Sequence, residues 1–148
     1  MAVLCLPGCR KEAAKDAAGS AAAQAAAPPP VDGPLALTAV LEEIPGEFPA
    51  NDIYNYAFIM KYRVEKVHKG SYADADILVG HYNPRIPRDD IKDDQDAKVG
   101  GNVKGFQVGD RHYLVLSPLE GQWTGALEDD YYKDKRPRHW ALWADKAK

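Results

Sequence analysis

The stretch Tyr54-Asn55-Tyr56-Ala57-Phe58-Ile59-Met60-Lys61-Tyr62-Arg63-Val64-Glu65-Lys66-Val67 decides the fold. Tyr54, Tyr56, Phe58, Met60, Tyr62 and Val64 share one parity, and Asn55, Lys61, Arg63 and Glu65 share the other. An apolar period of two over so long a run specifies a β-strand with one face in a core. Ala57 and Ile59 are apolar residues on the second face. At Glu65-Lys66 the phase slips by one residue, and Val67 becomes the next apolar position. Such a slip is the sequence sign of a β-bulge, which bends and twists a strand. Long, bent strands are what a small barrel needs to turn its corners.

Outward from this strand the pattern stays β. Before it, Leu35, Leu37, Ala39 and Leu41 alternate with Ala36, Thr38 and Val40, and Ile44-Pro45-Gly46 and Phe48-Pro49 then break the chain. After it, Lys69-Gly70 makes a turn and Ile77-Leu78-Val79 starts a short strand that Gly80, His81 and Tyr82 extend. Pro84 and Pro87 end that strand, and Asp89 to Gly101 reads as an acidic loop with its charge partly balanced by Arg85, Arg88 and Lys92. Tyr113-Leu114-Val115-Leu116 is a strand stopped by Ser117-Pro118. Gly121 to Pro137 reads as a long loop with at most one helical turn, and Trp140 to Ala144 as the last strand. The eight tyrosines and three tryptophans favour strands over helices. The expected fold class is therefore all-β.

The order Tyr62-Arg63-Val64-Glu65-Lys66-Val67-His68-Lys69-Gly70, Ile77-Leu78-Val79, then Phe106 to Leu116 resembles the netrin-like and metalloproteinase-inhibitor-like domains. Those domains run "V..V.KG", a short "I.V" strand and "F..G..YLV". The resemblance covers roughly residues 53 to 117 and implies a small OB-like five-stranded Greek-key barrel. It does not carry protease inhibition. The family places an N-terminal cysteine on the protease zinc, whereas the only cysteines here are Cys5 and Cys9, far from the barrel. The body as a whole also resembles small bacterial envelope proteins found with exopolysaccharide acetylation machinery.

Leu6-Pro7-Gly8-Cys9 resembles the lipobox of bacterial lipoproteins, in which the peptide is cut before the cysteine and that cysteine carries lipid. The resemblance makes Cys9 a lipid anchor and residues 1–9 a signal remnant. Met1 to Gly8 is shorter than a full signal peptide, which a true start further upstream would explain. Residues 10–34 are charged, then almost pure alanine, then Pro28-Pro29-Pro30. This composition has no apolar stripe to bury, and the proline run favours an extended spacer. The expected organisation is residues 1–9 as signal remnant, 10–34 as disordered linker and 35–148 as barrel. The expected location is a bacterial cell envelope, on the periplasmic side of a membrane, with the outer membrane foremost.

The residues of chemical interest do not assemble into a known catalytic pattern. A net charge of −3 argues against a nucleic-acid partner. Neither Ser71 nor Ser117 lies in a Gly-x-Ser-x-Gly elbow, and Gly100-Gly101-Asn102 is a turn rather than a phosphate loop. His81, His112 and His139, with Asp110, could converge on a zinc ion, but no spacing demands it. The simpler placement puts His68 and His112 at strand edges and His81 and His139 beside aromatic rings. Asp89 to Asp96 lacks the glycine and closing glutamate of a calcium loop. No metal and no cofactor is expected, and the chain is not expected to be an enzyme.

Late in the chain Trp123, Tyr131, Tyr132, Arg136, Arg138 and Trp143 cluster with Trp140 and His139. Aromatic rings beside planar cations are enriched at recognition surfaces, and OB-type barrels bind oligosaccharides and proteins. Trp123, Tyr131, Tyr132, Arg136, Arg138 and Trp143 are the candidate ligand-binding residues. The function expected is a lipid-anchored, non-catalytic binding or accessory module for an envelope polysaccharide or protein, in exopolysaccharide export or modification. An inhibitor-like or scaffold module that binds a protein is the alternative, with a hydrolase or metal-dependent enzyme third.

Overall fold

The computed structural model describes residues 31–93, 95 and 98–148. Cys9 and the linker up to residue 30 lie outside the described residues. Seven strands follow in order: β1 (Leu35–Glu43), β2 (Tyr56–Lys69), β3 (Asp76–Tyr82), β4 (Gly100–Gly101), β5 (Arg111–Pro118), β6 (Ala126–Glu128) and β7 (His139–Lys146). A 3-10 turn at Arg88–Asp90 interrupts the long connection between β3 and β4.

Five of these strands close a barrel. The circuit runs β1-β5-β7-β3-β2, and β2 returns to β1. Counting barrel strands in chain order, the circuit is first, second, third, fifth, fourth, first, with the third and fifth strands parallel. This is the OB-type Greek-key order that the sequence leads one to expect. β4 pairs with β7 outside the circuit, and β6 adds parallel to the first residues of β2.

β2 makes closure possible. Its residues 57–63 pair with β3, and its residues 61–69 pair with β1. The β1–β2 register skips Glu65 and His68, so the slip read at Glu65-Lys66 is a bulge, with a second one two residues beyond. Each bulge bends β2 towards β1. The strand ends at Gly70, which takes φ +79°, and a side chain there would collide with the Pro34 carbonyl. A non-glycine residue would resist both demands.

The barrel core takes the faces that the alternation marks. Leu37, Ala39 and Leu41 of β1 and Tyr56, Phe58, Met60 and Tyr62 of β2 are buried with Ile77, Val79, Leu114 and Leu116. Ala57, the first exception to the alternation, belongs to a second apolar cluster outside the barrel with Tyr82, Ile91, Val99 and Trp140. Ile59, the second exception, is fully buried beside Gly80. Ile86, Ile91, Val99, Leu119 and Trp123 supply the cover, so the first part of β2, Tyr56 to Met60, is buried on both faces where a free-standing barrel would show one to water.

Two local expectations change. The region Gly121 to Pro137 contains the strand β6 rather than a helical turn. Arg88 does not balance the acidic loop. It is buried at 3% exposure, donates to the carbonyls of Asn83 and Ile86, and lies 5.5 Å over the Phe106 ring. The loop's charge is met by Lys92 on Asp90, as expected, and also by Lys104 on Asp89 and by Tyr82 donating to Asp93.

Candidate functional site

The histidines separate into unlike environments. His81 on β3 and His112 on β5 are fully buried and face each other across the Tyr62 hydroxyl, 3.0 Å from His81 Nε2 and 3.0 Å from His112 Nδ1. His112 is thus a core residue, not the edge residue expected. His139 lies elsewhere, with its ring edge-on to Tyr72 at 5.7 Å. Among the described residues no three histidine, cysteine or acidic side chains converge as a metal site.

The hydrogen-bond inventory sets the protonation of this cluster. A neutral imidazole has one donor and one acceptor nitrogen, so the tyrosine hydroxyl can accept from one ring and donate to the other. If His81 Nε2–H donates to Tyr62 and Tyr62 donates to His112 Nδ1, the remaining His112 N–H points towards Asp110, 3.9 Å away. That arrangement leaves the lone pair of His81 Nδ1 and the His112 Nε2–H without a hydrogen-bond partner, the second lying 3.9 Å from Asp110. Burial, together with Arg88 and His112, holds His81 well below the usual imidazole range. Burial pushes His112 down to about 4 against the opposing pull of Asp110. Both rings are neutral core members at neutral pH.

The candidate ligand-binding residues divide by their contacts. Trp123 stacks on Trp140 at 5.6 Å and 11°, meets Tyr82 edge-on, and donates Nε1–H to the Ala126 carbonyl at 2.8 Å. It covers the second apolar cluster. Arg138 is held by Asp129 at 2.9 Å, by Asp134 at 3.1 Å and by the carbonyls of Tyr132 and Arg136. Arg136 pairs with Asp76 and Asp134. These guanidinium groups staple the 129–138 loop to the barrel. Trp143 lies on β7 against Gly100, where a Cβ would strike its ring.

Tyr131 and Tyr132 remain, and they lead to a cleft. Both hydroxyls donate to Glu43 at the end of β1, at 3.1 and 2.9 Å. The carboxylate partner raises the pKa of Tyr131, and burial with the same partner raises that of Tyr132. Tyr131 stays 60% exposed and forms one wall of a cleft of about 360 Å³. Pro45, Gly46, Glu47 and Pro49 line the opposite side, Phe58 lies within it, and Glu128 and Asp130 complete the rim. Phe48 meets Phe58 edge-on at 4.9 Å, which fixes the floor. The size falls at the lower end of the range for small-ligand sites.

Beside the cleft is a shelf made of Ile53 and Tyr54, both exposed. Its position depends on Asn83, a buried residue at φ +39°. Asn83 Oδ1 accepts from the Tyr56 backbone at 3.0 Å and from Asn51 at 2.8 Å, and its Nδ2 donates to Asn55. Tyr54 then reaches Glu128 with a 2.8 Å hydrogen bond, which ties the shelf to the rim.

Sequence reading found Tyr131 and Tyr132 and missed Glu43, Glu47, Phe58, Glu128 and Asp130. The local signal is present: acidic and aromatic residues are neighbours in Glu47-Phe48 and again in Glu128 to Tyr132. No pattern in a single sequence brings these two segments together. No family model, no curated protein and no solved structure matches the chain.

Proposed function

We propose that this protein is a non-catalytic binding module of the bacterial envelope, anchored by lipid on Cys9, whose ligand site is the Glu47–Phe58–Glu128–Tyr131 cleft. Its partner is an envelope polysaccharide or protein, and export or modification of exopolysaccharide is the setting in which the module acts. The cleft supports this reading because it combines a rigid aromatic floor, an exposed ring and several acidic groups.

The placement of the cleft supports the anchor. The linker enters β1 at Leu35, and the cleft lies by Glu43 and Pro45 at the other end of that strand. Nine residues of strand span about 30 Å at roughly 3.3 Å each. A lipid on Cys9 would therefore tether the barrel from the end of β1 that lies away from the cleft. Several acyl chains hold a protein firmly where one does so marginally.

The full chain purified from bacterial membranes tests both parts. Its mass should carry a lipid increment that Cys9→Ser abolishes. Retention of isolated envelope fractions should fall in the Tyr131→Ala, Glu128→Gln variant. An unlipidated chain would overturn the anchor, and unchanged retention would overturn the cleft as the site.

A further inference from the structure

The acidic rim of the cleft is not neutralised within the fold. Among the described residues, neither Glu47 nor Asp130 is in an ion pair or side-chain hydrogen bond, and Glu128 accepts only from Tyr54. The cations of the neighbourhood are committed or do not line the cleft. Arg136 and Arg138 face Asp76, Asp129 and Asp134, and Lys61 faces Glu42 and Glu43. Lys133 and Lys135 belong to the following loop, and Arg85, which acts on the Tyr56 hydroxyl, is exposed outside the lining.

A ring that stays 60% exposed stands over this unbalanced charge at Tyr131. A guanidinium or ammonium in the cleft would meet acidic groups at the rim and a π face at the wall, two interactions that select cations. The adjoining shelf adds apolar contact through Ile53, exposed at 84%. β6 is also the terminal strand of the sheet, so no further strand of the described chain covers this flank.

Resting on the cleft being the ligand site, we infer that its occupant is a basic segment of a partner protein. An arginine or lysine side chain of that segment enters the cleft, and a neighbouring apolar residue lies on the Ile53–Tyr54 shelf. A neutral glycan would use the ring but leave the rim charge unanswered. An anionic one would be repelled by it.

A labelled decapeptide of alternating arginine and leucine, titrated into the full chain, is the test. The peptide should bind with an affinity that falls as salt rises, because exposed ion pairs are screened. Glu128→Gln with Asp130→Asn should weaken it by up to roughly twenty-five-fold, since each exposed pair contributes up to about fivefold. Asp89→Asn, a charge change in the loop near Lys104, should leave it unchanged. Equal loss in the Asp89 control would overturn the inference by exposing nonspecific charge attraction. Binding of a neutral polysaccharide fragment at the cleft, with no peptide binding, would overturn this inference and keep the cleft as the site. Binding of neither would overturn both. Peptide binding that appears only after residues 1–30 are removed would also overturn it, by assigning the cleft to Arg10, Lys11 and Lys15 of the chain's own linker.

Discussion

Replacing His112 with glutamine should flatten the acid side of the stability curve. His112 is fully buried, and its pKa is pushed from 6.5 to about 4 in the folded protein. The unfolded chain holds the ordinary value, so it takes up a proton first as pH falls. Folding stability is therefore complete above about pH 6.5 and declines as pH drops towards 4. The gap between the two values corresponds to about 3 kcal/mol. His81 is shifted in the same direction, so its contribution adds to the loss. Glutamine keeps a hydrogen-bonding side chain near Tyr62 but does not titrate. Urea unfolding followed by tryptophan fluorescence between pH 4 and pH 8 gives the stability of both proteins. Their difference should shrink by about 3 kcal/mol from pH 7 to pH 4, because only the wild type loses the His112 share. A difference that stays constant across this range would refute the account of the buried histidines.

Three further outcomes follow from the structure. Asn83→Ala should destabilise the protein by about 1–3 kcal/mol in urea unfolding, because it leaves the buried Tyr56 N–H without its acceptor. Arg138→Ala should loosen the 129–138 loop, seen as faster amide exchange there, and Arg138→Lys should restore little because lysine cannot reproduce its several fixed contacts. Gly70→Ala should cost stability through its positive φ and the nearby Pro34 carbonyl, whereas Gly105→Ala, in open space, should be tolerated, with thermal melts as the measure.

Much of the barrel could be read from β2. Its alternation marks the core face, and the slip at Glu65 marks the bend that closes the circuit. Both signals are local, and local signals survive in a single sequence. His112 was not legible because its burial depends on Tyr62 and His81, which come from distant segments, as well as on nearby Phe106. The same applies to the cleft. Glu43 and Tyr132 lie far apart in sequence, and only the circuit of strands brings them to 2.9 Å. Trp123 shows a different limit of reading side chains from type alone. Its composition suggests a ligand platform, and its stacking on Trp140 shows a side chain occupied in packing.

The most direct test of the cleft is amide chemical-shift mapping of the full chain during titration with fractionated envelope polysaccharide and solubilised envelope protein. The account predicts perturbations concentrated at residues 45–49, 53–58 and 127–131 for one of these fractions. Perturbations centred on Trp143 and Gly100, or none with either fraction, would contradict it.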